Sequence, residues 1–271
     1  MKLEHLERAF ESIGARFQVT GRIRRWPRAA TGYEIDIGHD RRGPFFALRG
    51  DEASLARVEL ALLNKEKGDR HLLLLIKDRA AKRKDRFLCG HDEREWFVAA
   101  VPGSACTVSQ AKEALKPSAV RNTQARKGLS PRKAQSRHNA AFRRQGEWFF
   151  VPVEQPLTVD PKLVLRNEPI SRGNGSKPHL VEKLFRTGGE TVFVCARHPN
   201  GLTASQYERV IRRDPAAKHW RWQQMRRNPG VFAMGTVRHP DHATIVLPEW
   251  CEVLINEEHR APSRSNLAFL D

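Results

Sequence analysis

The chain has 271 residues, 39% hydrophobic and 29% charged, which argues against a disordered polymer and leaves room for one large domain or two modest ones. Its 48 Lys and Arg against 31 Asp and Glu give a formal charge of +17, an excess that repels itself within a fold and favours a polyanionic partner through counterion release. The longest apolar run, Leu72 to Ile76, is far below the roughly 20 residues of a membrane span, and MKLEHLERAF lacks the apolar core of a signal peptide, so a cytoplasmic protein with no membrane partner is expected.

Leu3, Leu6, Phe10 and Ile13 recur at three and four residues and predict a short amphipathic helix ended by Gly14. ARFQVTG, TGYEIDIGHD and GPFFALRG read as strands, the first two by alternation. RVELALL and HLLLLIKD, flanking KEKGDR, predict a hairpin, although a helix from Glu52 running into RVELALL is an alternative; leucine in place of valine and isoleucine argues against strands here. RFLCGHDEREWFVAAVP repeats the hairpin pattern and gathers Cys89, His91, Asp92 and Glu93 at its turn, which is either material for nucleophilic or metal chemistry or a polar hairpin tip. SQAKEALKP predicts a helix with Ser109 as N-cap and Pro117 as its stop. The four cysteines, Cys89, Cys106, Cys195 and Cys251, are too dispersed for a zinc knuckle and read as reduced thiols.

From Ala114 to Gly146 the chain carries Lys116, Arg121, Arg126, Lys127, Arg132, Lys133, Arg137, Arg143 and Arg144, and no acidic residue. With few large apolar side chains, this stretch is expected to lack a core of its own and to act as a basic connecting segment over 116–145, either against a phosphate backbone or as a solvated linker. It separates an N-terminal α/β domain, 1–115, from a strand-rich C-terminal domain, 146–271.

GEWFFVPV opens the second domain as a strand whose prolines place it at a sheet edge or end it in a turn. PKLVLRNEP is a second strand, SRGNGSKPH a glycine-rich loop, and HLVEKLFR with TVFVCARH a hairpin turned by Gly188-Gly189. A helix pair is expected over 203–227: TASQYERVIRRDP, with Thr203 and Gln206 or Ser205 and Glu208 spaced as a capping box, then AAKHWRWQQMRR. Arg209, Arg212, Arg213, Lys218, Arg221, Arg226 and Arg227 crowd this pair around Trp220 and Trp222, a composition suited to phosphate contact and base stacking, or else an ordinary core. VFAMGTVRHP, ATIVLPEW and CEVLIN return to strands, and the tail after Glu258 is polar.

His239-Pro240-Asp241-His242 places two imidazoles three apart in a turn between strands. With His179 they form a candidate ligand set for a divalent metal such as zinc, while Cys195 and His198 are further options and Asp241 is able to orient a ring. Contact with phosphate and backbone capping are the alternatives, as is a catalytic acid or base. Walker, two-metal and GxSxG patterns are missing.

Residues 143 to 262 resemble a group of small bacterial and phage strand-rich proteins. That group opens with an Arg-Gln-Gly-Asp strand ending in Pro, continues to a Gly-His-x-His loop, and finishes with a His-x-x-His turn running into Leu-Pro-x-Gly-x-Tyr-x-Val. The matching text here is Arg144-Gln145-Gly146-Glu147, then GSKPH, then His239 to His242, then Leu247-Pro248-Glu249-Trp250 and Val253. Lys177 replaces the loop's first histidine and Trp250 the glycine. The resemblance implies architecture and carries no activity.

The expected fold class is α+β: a mixed N-terminal sheet with short helices, and a C-terminal antiparallel sheet or small barrel with an inserted helix pair. The expected function is nucleic-acid binding, to RNA first or single-stranded DNA, within a bacterial ribonucleoprotein or mobile-element system that supplies a partner protein. The competing expectation is a metal-dependent hydrolase or nuclease with His179, His239 and His242 as ligands and Asp241 or Glu93 as base. A basic subunit that binds an acidic protein is the third.

Overall fold

The computed structural model describes residues 3–21, 32–172 and 176–258. The class is α+β, with strands gathered in open sheets rather than a closed barrel. The chain divides into two compact units. The first is Met1–Glu147 together with the hairpin tip Asp241–Ala243 and the segment from Ile255; the second is built on Trp148–Pro240 and Thr244–Leu254.

In the first unit, α1 (Leu3–Glu11) precedes β1 (Phe17–Thr20), β2 (Tyr33–Asp40) and β3 (Gly43–Gly50). These strands form a mixed sheet in the order β1-β3-β2, with β1 parallel and β2 antiparallel to β3. A single turn of helix, α2 (Glu52–Arg57), capped by Asp51, leads into the antiparallel meander β4 (Val58–Glu66), β5 (His71–Asp78), β6 (Arg83–Asp92) and β7 (Glu95–Val101). RVELALL is thus the first strand of the expected hairpin from Val58 on, and the helix that starts at Glu52 ends at Arg57 without running into it.

The leucine run of β5 has a physical reason. Leu72, Leu74 and Ile76 face a core shared with Phe10, Phe17, Phe46 and Leu48. Leu73 faces the other way, onto Leu88, Val101, Val108, Ala111 and Leu115. A strand buried on both faces does not alternate with polar residues, and bulk matters there more than β-branching.

The second of these cores is closed by α3 (Val108–Ala114). Its cap is Thr107, in a reciprocal capping box with Gln110, and not Ser109. The segment 116–145 is no exposed connector: it belongs to the first unit and folds as α4 (Ser118–Arg126), α5 (Pro131–Gln135) and β8 (Arg143–Gln145). Val120, Ala141 and Phe142 are fully buried, so the few apolar residues of this stretch suffice to anchor it. Lys116 is 4% exposed and donates to Glu113, Gln124 and the Ala134 carbonyl, tying three helices together.

In the second unit, β9 (Trp148–Pro152), β10 (Leu165–Ile170) and β11 (His179–Thr187) are followed by β12 (Glu190–Cys195), β13 (His198–Leu202), α6 (Ala204–Arg213), β14 (Gln223–Arg227), β15 (Gly230–His239) and β16 (His242–Ile255). Within this unit the main sheet runs β10-β11-β15-β16-β9, and β9 ends at Pro152. Val181, Leu184, Ala233, Val237, Leu247 and Phe150 form its core.

Gly188-Gly189 does not reverse the chain. β11 pairs with β15 up to Thr187↔Gly230, and β12 pairs with β14 from Glu190↔Arg227 onward. The two strands therefore continue side by side as one long ribbon, interrupted where Gly188, Gly189 and Asn228 all take left-handed backbone angles. Two left-handed glycines on one strand break the hydrogen-bond register and re-aim the ribbon instead of closing a turn. The far end of the ribbon carries a small lobe, β13-β12-β14 with α6 beside it.

The expected helix pair over 203–227 is half right. The first helix, α6, is present with the Thr203–Gln206 capping box. Beyond Asp214 the chain makes a short 3-10 turn over Pro215–His219 and then β14. The edge of β12 needed a partner, and the alternating exposure of Gln224, Met225 and Arg226 fits a strand there. Gly173-Asn174-Gly175 of the glycine-rich loop and the tail from His259 lie outside the described residues.

Candidate functional site

The cations singled out in the sequence separate into two kinds. Lys116, Arg137 and Arg144 are structural. Arg137 pairs with Asp92 and Glu93, and Arg144 Nη2 lies 2.9 Å from Asp92. Burial costs these charges: it holds Lys116 and Arg144 below their usual ranges, and with Arg144 close by it brings Arg137 down to about 10. Arg121 and Arg143 are half-buried, whereas Arg126, Lys127, Arg132 and Lys133 are exposed on or beside α4 and α5.

The Cys89, His91, Asp92, Glu93 group does not converge. Cys89 is fully buried, which pushes its thiol pKa up and leaves it unreactive. The His91 ring meets Trp96 edge-on at 4.9 Å. Asp92 and Glu93 are occupied by the two arginines.

The lobe of the second unit collects the other kind. Arg209, Arg212, Arg213, Lys218, Arg221 and Arg226 are exposed, and Arg227 pairs with Glu190. Ser205, Glu208, Arg209, Arg212 and Arg213 line a shallow concavity on one side of α6. The register of α6 explains the cluster: positions 209, 212 and 213 repeat at three and four and share one stripe, while Tyr207 turns inward to stack on Phe193 at 4.3 Å.

A half-exposed aromatic cluster sits on the Tyr207 side of α6, away from this stripe. Trp222 meets Tyr207 edge-on at 5.0 Å, lies nearly parallel to His198 at 5.7 Å, and donates its indole N–H to the Ala217 carbonyl at 2.8 Å. Trp220 lies 5.9 Å from His198 and 5.8 Å from Trp222, with the Arg197 guanidinium 4.3 Å above its ring. The lobe's fully apolar core is only Val192, Val194 and Met225, so the aromatics partly serve as its walls. Arg197 was not singled out from the sequence, and His198 was named there only as a metal-ligand option; the ARH turn between two strands was the available signal for a contact role.

The histidines do converge. One ring nitrogen each from His179, His239 and His242 lies within 4.8 Å of the others. His179 is 1% exposed, with Trp148 edge-on at 6.3 Å. Cys195 and His198 are not part of the group. Arg238, next in sequence to His239, bonds Asn167 at 3.0 Å on the opposite face of its strand.

No protein-family model matches the chain, and neither the curated proteins nor the solved structures searched contain a match.

Proposed function

We propose that the protein binds single-stranded nucleic acid, RNA in preference, through the lobe formed by β12, β13, α6 and β14. The observation that carries this reading is the exposed stripe of Arg209, Arg212 and Arg213 on α6, in a lobe that also exposes Lys218, Arg221 and Arg226 and half-exposes Trp220. Guanidinium groups neutralise phosphates at high density, and an accessible indole stacks on bases of any sequence. The two tryptophans have different parts. Trp222 is held by a hydrogen bond and three ring contacts and supports the lobe. Trp220, which is under Arg197, offers the stacking surface.

Fluorescence anisotropy with a labelled single-stranded RNA tests the reading. The triple change Arg209→Ala, Arg212→Ala, Arg213→Ala is expected to lower affinity and flatten the salt dependence by about three units of slope at most. Unchanged affinity in a variant that melts like the wild type contradicts the proposal.

A further inference from the structure

The turn Pro240-Asp241 joins β15 to β16, and a two-residue turn makes its flanking residues, His239 and His242, cross-strand neighbours on one face. On the other side of β15 the register Val181↔Val237, Leu180↔Arg238 runs on to set His179 opposite His239, and their rings stack at 4.2 Å. Three successive strands of one sheet thus present three imidazoles in a row, at the end of the core that includes Val181 and Val237.

Two groups lie beside the rings of His242 and His239. The Glu93 carboxylate accepts the Ala243 backbone N–H and lies 3.6 Å from His242 Nδ1. Glu93 is itself fixed by Arg137 and by a left-handed backbone. His239 Nε2 lies 3.3 Å from the Lys177 carbonyl oxygen. A carboxylate or carbonyl that takes the N–H of one ring nitrogen fixes the tautomer and makes the other nitrogen the ligand. The Lys177 carbonyl thereby leaves Nδ1 of His239 as its ligand atom, and Glu93 stands beside His242 as an orienting charge.

We propose that His179, His239 and His242 bind one divalent transition-metal ion of the zinc class. Three neutral nitrogen donors suit such an ion, whereas magnesium and calcium require oxygen donors. A three-nitrogen set leaves a fourth tetrahedral position for water or an anionic oxygen. The lysine that replaces a histidine in the GSKPH loop contributes its carbonyl, at Lys177, to this arrangement.

The test uses the full chain, nuclease-treated and washed in high salt so that metal carried by phosphate is removed. After chelation, addition of zinc and gel filtration, elemental analysis is expected to return one zinc per chain. Cobalt(II) is expected to give the visible absorption of a tetrahedral nitrogen site. His239→Ala and His242→Ala should each lose that signal. Glu93→Gln should keep the site at an affinity about 10–100-fold lower. Wild-type protein that retains no stoichiometric zinc and shows no cobalt band overturns the proposal without reliance on any variant. Folded His239→Ala and His242→Ala proteins that load like the wild type overturn it as well. Unchanged affinity in Glu93→Gln removes the orienting role of the carboxylate.

Discussion

At the scale of single residues, Trp220 and Trp222 separate a binding role from a structural one. Trp220→Ala is expected to weaken RNA binding by about 1–3 kcal/mol, roughly 5- to 150-fold, with a smaller fall in the thermal midpoint than Trp222→Ala causes. Trp222→Ala is expected to lower stability through the lost Ala217 bond and ring contacts. Paired melting and anisotropy curves check both, and a Trp220→Ala protein that binds at full strength removes the indole from the interface. His71 supplies a pH dependence. Burial, with Lys112 adding to it, brings its pKa from 6.5 down to about 4. The unfolded chain then binds a proton between pH 6.5 and 4 that the folded chain refuses, so stability falls as pH drops through that window. The loss is on the order of 2–3 kcal/mol at its largest. Urea melts at pH 7 and 4.5 should differ more in the wild type than in His71→Gln; equal differences contradict it.

At the scale of elements, the sequence was most legible where local rules act. α1, the β4–β5 hairpin, α6 and its capping box follow from apolar spacing and from Thr203 and Gln206. It was least legible where partners lie far off in the chain. The segment 116–145 reads as solvated because its apolar residues are sparse, yet Lys116, Arg137 and Arg144 find their acceptors at Glu113, Asp92 and Glu93. Lys116→Ala should therefore cost about 1–3 kcal/mol of stability, read from denaturant melts, without altering RNA affinity. Deletion of residues 120 to 142 would remove Val120, Ala141 and Phe142 from a core and is a test of folding, not of binding. The histidine row was half visible: the His239–His242 spacing indicated a shared face, while the stacking of His179 needed the β11–β15 register. Gly188-Gly189 misled because paired glycines mark hairpins and ribbon breaks alike. A Cβ at Gly189 would lie 2.7 Å from the Arg227 carbonyl oxygen, and φ there is +77°. Gly189→Ala should destabilise the ribbon by about 1–3 kcal/mol in denaturant melts, with weakened RNA binding as the lobe loosens.

At the scale of the whole molecule, +17 exceeds what the fold consumes internally. Several cations are neutralised in ion pairs of the first unit, and the dense remainder on the lobe has few acidic neighbours, chiefly Glu208 and Asp214. Such a distribution favours a polyanion over an acidic protein patch when binding tracks counterion release and tolerates changes of sequence. The most direct measurement is the affinity for a labelled single-stranded RNA across 50 to 200 mM salt (about the range in which counterion release dominates), for the wild type and the Arg209/Arg212/Arg213 alanine variant. The account predicts a steep linear fall of log affinity with log salt in the wild type and a shallower, weaker line in the variant. Binding that is absent at low salt, or two superimposable lines, would contradict it.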